Sequence, residues 1–284
     1  MVSELSWISE PDLDRPILAI ALKGLFDVAG SATDAVRHLG REFDTTKIAE
    51  IDPESFFDFS QERPIVSLDE SGIRSLTWPS NEAFAAPNAD GRDLVLLAGI
   101  EPHLRWRSFS EAVVELAQKS DAELVVTLGA MVGMAPHTRP LGVVGSATNA
   151  ELARRMGLGR PSYEGPTGLV GALHDSLDKA NLPVISLRVS VPHYVPSPPN
   201  PQATRSLLSR FELVTGIKTN HATLDGAAAD WRTRVDAAVA NDSEMTQYVA
   251  ELERQVDSSA DELLPSGDDL AAELQAFLRD QREE

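Results

Sequence analysis

Cysteine is absent from the 284-residue chain, which removes disulfide frameworks, thiolate nucleophiles and thiolate metal sites at once. The lack fits a reducing cytosol. Basic residues are scarce: 25 Lys and Arg stand against 44 Asp and Glu, a formal net charge of −19. Nucleic-acid affinity is built from clustered cations that neutralise phosphates, so the charge argues against polyanion binding, and an anionic membrane surface would repel the chain. Long hydrophobic runs are missing too. "PILAIAL" and "DLVLLAGI" are far too short to span a bilayer. The opening "MVSELSWISEPDLDRP" has acidic residues where a secretory signal carries basic ones, and it contains no apolar h-region. The expectation is a soluble, cytoplasmic protein. Walker A, GxGxxG, GxSxG and HExxH motifs are all missing, so nothing points to ATP, nicotinamide, serine-hydrolase or zinc-protease chemistry. No cofactor is expected, and the dispersed histidines carry no local ligand pair for a metal.

What is present reads as α/β. Hydrophobic residues make up 42% of the chain, enough for a real core. Near-continuous apolar runs at Ile17–Leu22, Leu94–Gly99, Leu124–Gly129, Leu141–Gly145 and Val184–Val189 predict strands covered on both faces, as in a mostly parallel sheet. Helical periodicity falls between them, at Ser31–Phe43, Ser108–Ser120, Thr167–Ala180 and Gln202–Thr215. Ser108 and Glu111 stand in capping-box spacing for the second of these. Ile65–Trp78 alternates more, with a turn at Glu70-Ser71-Gly72, and predicts an antiparallel hairpin. The sum is a three-layer α/β/α core with a mostly parallel mixed sheet over residues 1–222. Residues 223–284 form an acidic C-terminal helical extension. From Leu224 onward 16 acidic residues face 5 basic ones, and Trp231, Val235, Ala238, Met245, Val249, Leu252 and Val256 make an apolar stripe broken at Asn241-Asp242-Ser243. A last helix is expected after Pro265, with Leu270, Leu274, Phe277 and Leu278 on its apolar face.

Half of the 6 histidines follow a proline just past an apolar run: His103, His137 and His193. Ligands in open α/β sheets bind beyond the carboxyl ends of the strands. The candidates there are Glu101, His103, Arg105 and Arg107 in "EPHLRWR", His137, Thr138 and Arg139 in "PHTRP", and His193 with Tyr194 in "PHY". Proline restricts the backbone and so aims the next side chain. Histidine shuttles protons near neutrality, and arginine suits carboxylate or phosphate. "YEGPTGLVGAL" adds Tyr163, Glu164, Gly165 and Gly168 at a helix entry suited to an anion. Asp27 precedes another glycine-led helix start and either anchors a ligand or caps the helix. Each Pro-His is equally a turn in which histidine satisfies backbone groups. If the strands are parallel neighbours, these side chains gather around one cleft.

At the same stretches the sequence resembles the PAC2 family, which includes proteasome assembly chaperone 2. The carrying segments are "GLFDVAG", "DPESFFDF" followed by "RP", "LAGIEPHLRWRSF", "LGAMVGMAPHTRP", "YEGPTGLVGAL" and "SVPHY", and the longer pattern is similar to the actinobacterial branch. The resemblance implies a phosphorylase/hydrolase-like α/β/α core and a homo-oligomer, but no settled activity. Leu25 stands where the family's Gly-Trp-x-Asp pattern has tryptophan. The chain ends Arg282-Glu283-Glu284, where archaeal relatives that dock on proteasomes end in hydrophobic-Tyr-x. Two functions stay open. One is an assembly-chaperone-like binding protein with a protein partner. The other is a small-molecule enzyme or sensor, with His137 or His193 as acid/base, Arg105 and Arg139 holding an anion, and Glu164 orienting the substrate.

Overall fold

The computed structural model describes residues 4–262. The helix expected after Pro265 lies outside them. Ten strands form: β1 (Leu5–Trp7), β2 (Ile17–Lys23), β3 (Thr46–Ile51), β4 (Ile65–Leu68), β5 (Arg74–Thr77), β6 (Asn81–Ala89), β7 (Arg92–Ile100), β8 (Leu124–Gly133), β9 (Val143–Ala147) and β10 (Val184–Pro192). The helices are α1 (Ser31–Glu42), α2 (Trp106–Lys119), α3 (Ala150–Arg155), α4 (Leu169–Lys179), α5 (Pro201–Thr215), α6 (Asp225–Ala240) and α7 (Ser243–Glu262).

Eight strands make one mixed sheet in the order β1-β3-β6-β7-β2-β8-β10-β9. Its centre, β7-β2-β8-β10, is parallel, with helix α2 crossing over from β7 to β8 and helix α4 leading into β10. Both flanks are antiparallel, so the mostly parallel character is confined to the four central strands. Every residue from Ile17 to Leu22 is buried, as a strand covered on both faces requires. One core layer packs Val36 and Leu39 of α1 with Leu207 and Phe211 of α5, and the other packs Phe109 and Leu116 of α2 with Leu169 and Leu173 of α4. The result is the expected α/β/α sandwich. The two edges of the sheet are its shortest strands, β1 of three residues and β9 of five.

Three details depart from the sequence reading. The strand expected at Leu141 starts at Val143 and runs antiparallel to β10. Helix α2 starts at Trp106, two residues before Ser108. Its N-cap is Arg105 in the left-handed region (φ 55°), so the Ser108–Glu111 capping box does not form. The hairpin exists, with β4 paired to β5 and Gly72 at φ +78°, but it stands apart as its own two-stranded sheet. All eight of its strand residues are exposed.

The extension folds back as two helices. Asp242 separates them and accepts hydrogen bonds from the Glu244 and Met245 amides (2.9 and 3.1 Å), so it is an N-cap as well as a break. Trp231, Val235, Val249 and Leu252 are buried, whereas Ala238 of the predicted stripe stays exposed. No helix among the described residues is long and apolar enough to cross a membrane.

Candidate functional site

The carboxyl ends of β7, β2, β8 and β10 share one edge, because they are parallel neighbours in register. The motif residues emerge there, and their side-chain contacts fall into three groups, the second and third meeting at Leu25.

The first group is "PHTRP" with "PHY". His137 is 1% exposed. Its Nε2 lies 2.9 Å from Asp236 Oδ1 on α6, and its Nδ1 lies 2.6 Å from the Tyr194 hydroxyl. A carboxylate only accepts, so Nε2 carries the proton, and Nδ1 accepts from the Tyr194 O–H. The same hydroxyl accepts the His137 backbone N–H at 2.9 Å. Trp231 of α6 packs edge-on against the imidazole. Burial pushes the Tyr194 phenol above its usual range, against the His137 N–H bond; Glu253 and Asp236 add to the rise. Thr138 donates to Glu253 of α7. Arg139 holds Asp257 with both ends of its fork (2.9 and 2.8 Å) and reaches Glu253 at 3.3 Å. This pairing lowers the Asp257 carboxyl and raises the guanidinium further. His193 Nδ1 lies 3.3 Å from the Gly133 carbonyl, and its Nε2 lies 3.2 Å from the Tyr248 hydroxyl of α7. Helices α6 and α7 therefore close over His137 and pair with Thr138 and Arg139, while His193, in contact with Tyr248, stays exposed.

The second group follows β7 and β2. Glu101 accepts the Leu25 amide at 2.9 Å. His103 Nδ1 accepts the Asp58 amide at 3.1 Å, and its ring meets Phe57 edge-on. The Ser60 hydroxyl, then Gln61 and the Ser60 amide, hold the Asp58 carboxyl down at about 2. Arg105 pairs with Glu4 at 2.7 Å and lies over the Phe56 ring. Arg107 is exposed. These side chains tie the segment before the hairpin to the end of β7.

The third group is the entry to α4. Tyr163 is 72% exposed and donates to the Pro166 carbonyl at 3.0 Å; Glu164 is exposed as well. Gly165 sits at φ +145°, where a side chain would strain the backbone. Gly168 is the N-cap, facing Phe26 and Leu25. Asp27 belongs to none of the groups. Its carboxylate accepts from the Ala32 and Thr33 amides and from the Thr33 hydroxyl (2.8, 3.1 and 2.6 Å), so it satisfies the first amides of α1, whose N-cap residue is Gly30. Burial raises its pKa despite those bonds.

Sequence reasoning missed the partners Asp236, Tyr248, Glu253 and Asp257. Their only signal was the acidity of the extension opposite an Arg-bearing loop. It also missed His174 of α4, which lies 2.8 Å from Thr127 Oγ1 in the core. Burial, with Arg188 adding to it, lowers that imidazole to about 4. Among the described residues no group of three His, Asp or Glu is placed to hold a metal.

A mixed sheet between two helical layers, with a helical pair closed over the carboxyl ends of β8 and β10, defines an α/β/α protein with a capped strand edge. The chain belongs to the PAC2 family, whose profile matches residues 21–239. A PAC2 family protein from Streptomyces avermitilis is 42% identical, with a TM-score of 0.77 over 82% of this chain and 99% of that one. A Mycobacterium tuberculosis proteasome-assembly chaperone homologue is 36% identical, with a TM-score of 0.75 over the same shares, 82% and 99%. A Corynebacterium glutamicum protein of unknown function is 26% identical and matches 91% of this chain and 98% of that one at a TM-score of 0.82. No curated protein matches the chain.

Proposed function

We propose that the protein is a cytosolic, homo-oligomeric binding protein that assists the assembly of a protein complex rather than turning over a small molecule. The carrying observation is the closure of α6 and α7 over His137 and the rest of "PHTRP". An acid/base pair needs an open approach to a substrate, yet His137, Thr138 and Arg139 are matched by Asp236, Glu253 and Asp257 of the same chain. Exposed apolar surface lies elsewhere, on the hairpin: Ile65, Val66, Leu68, Ile73 and Leu76 are each 45–69% exposed. A free two-stranded hairpin is marginal in water, and apolar patches of this kind mark contact surfaces. The likeness to a proteasome-assembly chaperone homologue makes unassembled proteasome subunits the first partner to try.

Light scattering should give a multiple of the 30.7 kDa chain mass at micromolar concentration. Co-expression with proteasome subunits from the same source should yield a complex that persists through gel filtration. A monomer that ignores those subunits would remove this reading. A phosphate or carboxylate ester turned over by the wild type and spared by His137→Asn would favour the enzyme.

A further inference from the structure

A cavity of about 540 Å³ lies on the α1 side of the sheet, where the antiparallel flank begins and the hairpin leaves the body. That volume is in the range of small-molecule sites. Its floor is Phe84 of β6 with Leu96 and Ala98 of β7. One wall is the last half of α1, with Val36, Arg37 and Arg41. The other is the hairpin base, with Arg63, Ile65 and Trp78. The lining is therefore apolar below and cationic at the rim.

Three guanidinium groups at one cavity are unexpected in a chain of net charge −19. Arg37 and Arg41 are one helical turn apart and share a side of α1. Arg37 reaches Asp34 only at 3.6 Å, with both side chains about half exposed. Arg41 and Arg63 have no carboxylate partner among the described residues; Arg63 Nε makes one long contact, 3.5 Å to the Ser60 carbonyl. The two carboxylates that line the cavity are already held by lysines: Glu62 by Lys23 at 2.9 Å and Glu82 by Lys47 at 2.5 Å. The arginines face the cavity with their hydrogen-bonding capacity largely unused. A guanidinium fork takes a carboxylate through two parallel bonds. Glu62 and Glu82 line the same cavity, so added negative charge on the head is disfavoured.

We propose that this cavity binds a small amphipathic carboxylate, its head between Arg41 and Arg63 and its apolar body against Trp78, Phe84 and Leu96. This site is independent of the capped strand ends, and it does not require the assembly function.

Dodecanoate below its micellar concentration is the probe, followed by calorimetry and tryptophan fluorescence. One molecule should bind per chain at micromolar concentration. Dodecyltrimethylammonium and dodecyl phosphate test the head: both should bind at least about tenfold more weakly. Arg41→Gln with Arg63→Gln should weaken dodecanoate by at least about tenfold while Tm and particle mass stay as in the wild type. Trp78→Phe should lose the fluorescence change and keep the heat. Ala98→Trp fills the floor and should abolish binding. It serves as the second variant if the arginine pair destabilises the fold. Equal binding of the anionic and cationic amphiphiles would overturn the proposal, as would unchanged affinity in both the arginine and Ala98 variants. Absence of any heat with dodecanoate would overturn it as well.

Discussion

His137 shows how a residue suited to catalysis is held in place by its neighbours. Its two ring nitrogens and its backbone amide all have partners, two of them on one hydroxyl. Tyr194→Phe would leave the amide and Nδ1 buried without a partner, which costs about 1–3 kcal/mol. Urea unfolding should show that loss with an unchanged m-value. His174 gives a second, pH-dependent prediction. Its folded pKa of about 4 lies below the ordinary histidine value of 6.5. The unfolded chain therefore takes up the proton first as pH falls. The stabilisation is complete above about pH 6.5 and is lost as pH drops toward 4. The thermal midpoint should decline between pH 6.5 and 5, a window above the carboxylate range. His174→Gln should flatten that part of the curve; an equal slope in the variant would assign the decline to other groups.

At the scale of elements, the docking of α7 rests on a mixture of buried apolar contacts and partly exposed ion pairs. Surface pairs are worth up to about 1 kcal/mol. Arg139→Gln should therefore speed amide exchange in α7 about two- to fivefold, leave α4 unchanged, and lose its effect in high salt. Trp231→Ala removes a side chain only 4% exposed and should cost about 3–5 kcal/mol, read by denaturant unfolding. The central strands were legible because burial on both faces demands continuous apolar runs. Strands β3 and β6 were not. "TKIAEI" neither alternates nor runs apolar, because the register with β6 shifts between Lys47 and Ala49, and "NEAFAAPNA" is rich in alanine, a weak strand former, with Pro87 inside it. Helix α2 begins without a side-chain cap, so Ser108 marked a boundary that Arg105 actually sets. The strand-end histidines were legible as positions. Their partners were not, since Asp236 and Asp257 lie 99 and 118 residues from the side chains they meet. An acidic helix face looks the same in a sequence whether it meets water or an arginine.

For the whole molecule, the net charge of −19 sets the long-range field. Duplex DNA should give no shift in a gel assay at physiological salt; a salt-sensitive micromolar complex would contradict that. The hairpin should govern association. Replacing Val66, Leu68 and Leu76 with serine removes three exposed apolar side chains and none that lines the cavity. Light scattering should then move toward the monomer mass, with Tm of the isolated chain within a few degrees of its starting value. The short outer strands of the main sheet bear on this. An edge of three residues and another of five offer little template for a further strand. Open backbone and open apolar surface coincide instead on β4 and β5, outside the fold's core. If the hairpin is the attachment surface proposed above, attachment and folding are written in separate stretches of the sequence. A lineage could redraw what this molecule holds on to by rewriting the hairpin alone, without putting the sandwich beneath it at risk.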